Sequence, residues 1–259
     1  MPETGNVFLV GTAGSGKSVL TAILRRYLED QGINVIAVNL DPAVQQIPYT
    51  ADVDCRDYVD IQTIIDQYEL GPNGAIIAAS DLVVTQMGEI KEEIDDFGAD
   101  AVLIDTPGQF EVFVYRNSGP LIVREFDRDT TACLYLMDAN LVRSPSSYIS
   151  INLLAISAMF RLGLPMIYAL TKADLLKEDE KLHLDRWAED LDFAMSDMGQ
   201  KESFGKVSLH SLNLSLAEAI REMQASMPLI HVSALEEYGL ENLTAYLGRV
   251  WQKGDDWII

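Results

Sequence analysis

Short apolar runs rich in β-branched residues recur along the chain in a pattern typical of buried parallel strands. We expect strands at residues 7–10, 35–38, 101–104, 132–137, 166–170 and 229–232. Between the first two runs, apolar residues from Val19 to Leu28 recur at helical spacing, and Gly32 follows as a C-terminal cap. This alternation predicts a three-layer α/β/α fold around a mainly parallel sheet.

Two segments are longer than simple connections between a strand and a helix. Residues 42–97 contain two helical patterns, at about 55–68 and 75–96, separated by Gly71-Pro72-Asn73-Gly74. Residues 175–227 are also mostly helical in pattern and rich in charge. Since no Ser/Pro-rich linker marks a boundary, we interpret both segments as helical insertions in one domain that spans residues 1–259.

A further helix is predicted to begin at Ser144-Pro145, where a capping residue precedes a proline, and to end before Gly163. Its apolar residues, Leu153 and Phe160 among them, cover more than one face. Such a helix is either fully buried within the monomer or half of a subunit contact.

Composition narrows the functional classes. The 259 residues carry a net charge of -21, which repels nucleic acid and anionic lipid, so we expect no direct binding to either. The acidity indicates a solvated surface, or else adaptation to salt or to a basic partner. No apolar run is long enough for a signal peptide or a membrane span, and Cys55 and Cys133 lack metal or redox spacing, so we expect a cytoplasmic protein with reduced, buried thiols.

The strongest chemical motif lies between the first strand and the first helix, where residues 11–18 fit G-x-x-x-x-G-K-[ST]. In such a loop, glycines let successive backbone N–H groups point at phosphate oxygens, and the following helix adds its positive end. Lys17 is predicted to bridge the β- and γ-phosphates, and Ser18 to bind Mg²⁺. The predicted phosphate-binding residues are Gly11, Ala13, Gly14, Ser15, Gly16, Lys17 and Ser18.

A second motif, Asp105-Thr106-Pro107-Gly108-Gln109, follows an apolar strand. A carboxylate at that strand tip can hold Mg²⁺, usually through water. Gly108 can offer its N–H to the γ-phosphate, which would place Gln109 beside it.

The third motif, Thr171-Lys172-Ala173-Asp174, reads as [NT]-K-x-D after a strand. The carboxylate of Asp174 can accept hydrogen bonds from the N1–H and 2-amino group of guanine, donors that adenine lacks. Alone, these four residues could equally be a surface charge pair. Placed after the other two motifs, and followed by Ser233-Ala234-Leu235 as a loop able to reach guanine O6, they predict a guanine site.

Together with Asn39-Leu40-Asp41-Pro42-Ala43 and Gly71-Pro72-Asn73, these motifs resemble the GPN-loop GTPases over nearly the whole chain, in particular archaeal-type homodimeric members. The resemblance implies a homodimer in which Asn73 of one subunit enters the phosphate site of the other. It also implies that Asp41 lies near Mg²⁺ and the attacking water, and that Gln109 and Glu111 belong to a switch region. A protein client follows by the same resemblance, since eukaryotic members take part in RNA polymerase assembly.

We therefore expect Mg²⁺-dependent hydrolysis of GTP to GDP and phosphate, with Lys17, Gln109, Asp41, Glu111 and Asn73 as the catalytic set. Two alternatives remain open: hydrolysis as a timer for a conformational change in a protein assembly, and phosphate transfer to a small acceptor, for which no arginine-rich lid is apparent. Thr171 stands where Asn is commonest, which leaves the strength of GTP over ATP preference open.

Overall fold

The computed structural model describes residues 4–201 and 229–251. Its strands are β1 (Gly5–Gly11), β2 (Val35–Asn39), β3 (Val53–Asp54), β4 (Ala101–Asp105), β5 (Thr131–Asp138), β6 (Met166–Thr171) and β7 (Leu229–His231). Its α-helices are α1 (Lys17–Asp30), α2 (Ile61–Tyr68), α3 (Pro72–Asp96), α4 (Phe110–Val114), α5 (Ser118–Val123), α6 (Pro145–Leu162), α7 (Glu178–Glu189), α8 (Leu191–Lys201) and α9 (Leu240–Trp251).

The strands form one sheet in the order β3-β2-β4-β1-β5-β6-β7, and every pairing between them is parallel. All the strands expected from the apolar runs are present, so the predicted mainly parallel sheet is confirmed. The two-residue strand β3 was missed, because a strand that short has no readable alternation.

Apolar residues on both faces of the sheet make the three layers. In β1, Val7 and Leu9 belong to the apolar cluster that includes the buried residues of α1 and α9, while Phe8 and Val10 belong to the cluster on the other face, which includes buried residues of α3 and α6. Since successive side chains of a strand point to opposite faces, a run that is apolar throughout must be covered on both sides. The three-layer prediction is confirmed.

The first predicted insertion differs in detail from its sequence pattern. The helix expected over 55–68 is a 3₁₀ turn at Cys55–Asp57 followed by α2, whose N-cap is Asp60. The chain reverses at Glu69, which has a left-handed φ of 51°, and α3 begins at Pro72. We expected residues 71–74 to separate the two helices; instead Gly71 caps α3, and residues 72–74 lie in its first turn. Proline is favourable in the first turn of a helix, where its missing N–H has no partner to lose.

The helix α6 has the predicted ends, since the Ser144 hydroxyl accepts a hydrogen bond from the N–H of Ser147 and Gly163 closes the helix at φ 66°. Full burial within the monomer, one of the two alternatives above, is wrong. Phe160 is 73% exposed and Leu153 is also exposed, and their seven-residue spacing puts them on the same stripe of the helix.

In the second predicted insertion, α7 and α8 confirm the helical pattern up to residue 201, and residues 202–227 lie outside the described part of the chain. Cys55 and Cys133 are both buried free thiols, as expected. Across residues 4–201 and 229–251, none of the helices combines the length and apolar character needed to cross a membrane.

Candidate functional site

Most of the predicted site residues meet at the carboxyl edge of the sheet. The phosphate loop follows β1, Asp41 follows β2, Asp105 ends β4, Thr171 ends β6, and the Ser233 loop follows β7. Since all these strands are parallel, their carboxyl ends face the same crevice, where α/β proteins bind ligands.

The phosphate loop has the backbone that its glycines predict. Gly16 caps α1 at φ 94°, a conformation that side chains with a Cβ rarely adopt. A Cβ on Gly11 would lie 2.7 Å from the Ser15 hydroxyl and 2.8 Å from the carbonyl oxygen of Leu136. The buried Ser15 hydroxyl has no hydrogen-bond partner among the described residues. The phosphate loop therefore holds a buried hydroxyl, that of Ser15, which is available to a bound acceptor or donor.

Lys17 lies under this loop. Only 5% of its surface is exposed, and its ammonium donates to the carbonyl oxygens of Gly11, at 2.9 Å, and Thr12, at 3.1 Å. Burial lowers the pKa of Lys17, and the nearby carboxylates of Asp105 and Asp41 oppose that shift. A buried cation held by neutral carbonyls can exchange them for phosphate oxygens, which are charged acceptors and bind it more strongly.

Asp105 fits a divalent metal. Burial raises the pKa of this carboxyl to about 6, while the Ser18 and Tyr49 hydroxyls and the charge of Lys17 oppose the rise. Although the Ser18 hydroxyl is close enough to affect this pKa, Asp105 Oδ1 has no partner of hydrogen-bond geometry among the described residues. An orphaned, nearly buried carboxylate oxygen next to a serine hydroxyl is the donor chemistry that Mg²⁺ uses, directly or through water. Ser18 and Asp105 are thus suited to hold Mg²⁺.

Asp41 connects two loops of the site. Its Oδ2 accepts a hydrogen bond from the N–H of Gly108 at 2.9 Å, and its Oδ1 accepts from the N–H of Ala43 at 2.9 Å. We expected the Gly108 N–H to face the γ-phosphate; in this structure it is engaged by Asp41. A phosphate contact by Gly108 requires this bond to exchange, and it stays a prediction.

Tyr49 is a site residue that the sequence reasoning missed. Its hydroxyl donates to Asp105 Oδ2 at 3.1 Å from the segment between β2 and β3. Thr106, next along the β4 loop, donates to the carbonyl oxygen of Leu9 at 2.6 Å and so ties the loop to β1. No local sequence pattern around Tyr49 predicts a hydrogen bond to Asp105, which lies 56 residues away in the sequence.

The Thr171 motif is bonded directly to the phosphate loop. The Thr171 hydroxyl lies 2.7 Å from the carbonyl oxygen of Ser15, and the Lys172 ammonium donates to the carbonyl of Gly14 at 2.6 Å. Lys172 also pairs with Asp138, at 2.6 Å, another residue that sequence reasoning missed. Because these contacts join two distant loops, the phosphate region and the region of Asp174 form one structural unit.

Asp174 faces a mostly apolar cavity of about 300 Å³ beside the phosphate loop, whose lining includes Gly16, Val19, Leu175 and Leu235. Its Oδ1 accepts from the Ser233 hydroxyl at 2.6 Å, so this serine orients the carboxylate. The Ser233 N–H donates to the carbonyl of Tyr238, which leaves the predicted contact with guanine O6 to Ala234 and Leu235. An apolar-walled cavity with one carboxylate suits a purine base.

Three predicted catalytic residues are not joined to this unit. Asn73 is exposed in the first turn of α3, and its side-chain amide makes no hydrogen bond within the described residues. Gln109 is the half-buried N-cap residue of α4, and Glu111 is exposed in the first turn of the same helix. No hydrogen bond or ion pair in the described chain links any of them to Lys17 or Asp105.

Comparison with known proteins identifies the family. A family described as conserved hypothetical ATP binding proteins matches residues 9–253. A GPN-loop GTPase from Pyrococcus abyssi is 32% identical over 92% of this chain and 93% of its own length. The chain belongs to the GPN-loop GTPase family. The prediction of a P-loop GTPase is thereby confirmed at the level of the family.

One further relative of this GPN-loop chain, and a solved structure of the Pyrococcus abyssi protein, bear on its extent and fold. GPN-loop GTPase 1 of Dictyostelium discoideum is 30% identical over 94% of this chain, which spans 60% of that relative's length. A crystal structure of a GTPase in apo form from Pyrococcus abyssi covers 95% of this chain and 97% of its own, at 31% identity and a TM-score of 0.81. The solved structure thus shares the fold over 95% of this chain, and the Dictyostelium relative is longer than the part this chain matches.

Proposed function

We propose that this GPN-loop chain binds GTP and Mg²⁺ and hydrolyses GTP to GDP and phosphate. The single observation that carries the proposal is the connection of the base cavity to the phosphate loop through Thr171 and Lys172. Asp174 supplies a carboxylate for the N1–H and 2-amino groups of guanine, and adenine would leave this carboxylate unpaired. The choice of GTP over ATP therefore rests on Asp174.

Ser18 and Asp105 would hold Mg²⁺, with Asp41 near it. When bound there, the metal ion supplies positive charge to the β- and γ-phosphate oxygens. Lys17 and the backbone N–H groups of the phosphate loop stabilise the negative charge that develops on those oxygens. Ser15, whose hydroxyl is buried and unpartnered among the described residues, offers one more polar group to the phosphates.

We propose further that the site is completed by a second copy of the chain. Asn73 is exposed and its amide unengaged within the described residues, while Gln109 and Glu111 are not bonded to the phosphate loop. Exposed Phe160 and Leu153 on one stripe of α6 offer an apolar surface for subunit contact. In the homodimer Asn73 of one subunit would contact phosphate or the attacking water in the other.

The bond between Asp41 and Gly108 supports a switch function. It joins the loop after β2 to the loop after β4, and a γ-phosphate that took the Gly108 N–H would release Asp41 toward water or metal. Hydrolysis would restore the bond. We propose that this exchange controls the assembly or release of a protein client, of the kind served in RNA polymerase assembly.

A complementation assay tests the proposal. Lys17→Ala and Asn73→Ala should each lose GTP turnover, measured as phosphate release without any added acceptor. Lys91→Ala, which removes a half-buried charge on α3 paired with Asp95, is the control and should keep the wild-type rate. Mixing the two inactive variants in equal amounts should restore about a quarter of the wild-type rate. Half of the dimers would be mixed, and each would hold one site with both residues.

Three outcomes would contradict parts of this proposal. Normal turnover by Lys17→Ala would remove the phosphate-site assignment. Inactive mixtures would place Asn73 in its own subunit's site or outside catalysis. Phosphate release that depends on a small acceptor would make the protein a phosphotransferase rather than a hydrolase.

A further inference from the structure

The two oxygens of Asp105 have different surroundings. Oδ2 accepts a hydrogen bond from the Tyr49 hydroxyl at 3.1 Å, whereas Oδ1 has no partner of hydrogen-bond geometry among the described residues. The carboxyl group as a whole is only 2% exposed. Tyr49 therefore engages Oδ2 and leaves Oδ1 available to another partner.

The segment that carries Tyr49 is held at both ends by arginines. Arg25 of α1 donates to the carbonyl oxygen of Thr50 at 2.7 Å and also pairs with Asp52 at 2.9 Å. Arg56 donates to the carbonyl oxygen of Val44 at 3.1 Å.

These bonds matter because Arg25 belongs to the helix that begins at Lys17 and Ser18. The backbone that follows Tyr49 is thereby fixed to the helix that carries Lys17 and Ser18, while Arg56, in the 3₁₀ turn at Cys55–Asp57, holds the backbone that precedes it. The Tyr49 side chain is partly buried, which restricts its rotation.

We propose that Tyr49 is a positioning residue for the metal site: by holding Oδ2, it fixes the plane of the Asp105 carboxylate and presents Oδ1 to Mg²⁺ or to a water bound to it. A carboxylate that can rotate must lose that freedom when it binds a metal, and an orienting hydrogen bond removes this cost beforehand. This inference rests on the proposed Mg²⁺–GTP function, because it assigns a role at the same carboxylate.

The test measures how Mg²⁺ tightens nucleotide binding rather than turnover. The affinity for a fluorescent GDP analogue is measured in EDTA and over a series of Mg²⁺ concentrations, for the wild type and for Tyr49→Phe. We expect the Mg²⁺ concentration for half-maximal tightening to rise about tenfold in Tyr49→Phe, the effect of one hydrogen bond to a charged group. The affinity in EDTA should stay at the wild-type value, because the Tyr49 hydroxyl is bonded to Asp105 and not to the phosphate loop, and Tyr49 does not line the base cavity.

Tyr58→Phe is the matched control. Tyr58 is another partly buried tyrosine whose hydroxyl donates to a carboxylate, that of Glu93 at 2.6 Å, outside the site. Its removal should leave both affinities unchanged. Melting curves of all three proteins report the structural cost of each lost hydroxyl, which should be similar for the two variants.

The outcomes separate this inference from the proposed function. An unchanged Mg²⁺ dependence in Tyr49→Phe would overturn the positioning role, and a lower Mg²⁺ requirement would show instead that Tyr49 competes with the metal. Loss of affinity in EDTA as well would mean that the hydroxyl supports the whole site and not the carboxylate. If even the wild type binds GDP without any effect of Mg²⁺, the proposed metal site itself is wrong.

Discussion

Replacing Thr171 with valine tests whether the bond between the base motif and the phosphate loop supports nucleotide binding. The Thr171 hydroxyl is buried and lies 2.7 Å from the carbonyl oxygen of Ser15 and 3.2 Å from that of Met137. Valine keeps the shape of threonine but removes the donor. The lost hydrogen bond and the buried carbonyl left without it should cost about 1–3 kcal/mol in free energy of unfolding. In a domain of this size, each kcal/mol lowers the melting temperature by about 2–4 °C.

The effect on binding follows from the same contact. If the bond holds the phosphate loop in its binding conformation, the variant must order the loop when the nucleotide binds. We expect the dissociation constant for GDP to rise about fivefold, which corresponds to about 1 kcal/mol. Calorimetry with GDP and Mg²⁺ would measure it, alongside melting curves with and without the nucleotide.

Thr131→Val is the matched control for this experiment. Thr131 is also a fully buried strand threonine, and its hydroxyl donates to the carbonyl oxygen of Asp127 at 2.5 Å. It lies at the amino end of β5, away from the site, so its loss should lower stability but not GDP affinity. If Thr171→Val loses stability and still binds GDP as tightly as this control does, the bond serves the fold and our reasoning about the loop is refuted.

Two further predictions concern carboxylates of the site. Asp174→Asn should weaken GDP binding at least about tenfold and improve xanthosine diphosphate binding, because the amide can donate to the 2-oxo group of xanthine. Competition binding with both nucleotides measures this change. An unchanged preference between the two nucleotides would place the base elsewhere. The folded-state pKa of Asp105, about 6, exceeds its ordinary 3.8, so the folded protein binds this proton more tightly and gains stability from it as the pH falls. Asp105→Asn should therefore stabilise the apoprotein more at pH 7.5 than at pH 5, by about 1 kcal/mol in urea unfolding; an equal gain at both pH values would contradict the raised pKa.

Much of the site could be predicted because strand ends and loop motifs lie close together in the sequence. The glycines of the phosphate loop imply a left-handed backbone, and Gly16 has it. Asp105 and Thr171 follow apolar runs, so their place at the carboxyl edge follows from a parallel sheet. Tyr49 and Asp138 could not be predicted, since each meets its partner across long sequence separations and neither belongs to a local pattern.

The Gly-Pro-Asn segment shows the opposite case, because a pattern was visible and its local structure was misjudged. A Gly-Pro-Asn-Gly string favours a turn by local chemistry, yet the reversal occurs at Glu69 and the proline starts α3. The buried apolar residues of α3 from Ala79 to Ile94 belong to the apolar core on one face of the sheet, and a helix stabilised by that core can begin at Pro72, where proline is favourable.

The sequence by itself determined six of the seven described strands, the phosphate loop and the chemical types at the site, because periodicity and short motifs are local properties of the chain. The tertiary structure alone decided which distant groups meet. In it, the Gly108 N–H donates to Asp41, the Thr171 hydroxyl donates to the Ser15 carbonyl oxygen, and the Tyr49 hydroxyl donates to one oxygen of Asp105. These contacts depend on how the sheet orders its strands and on which loops its carboxyl edge brings together, and neither is a local property of the chain.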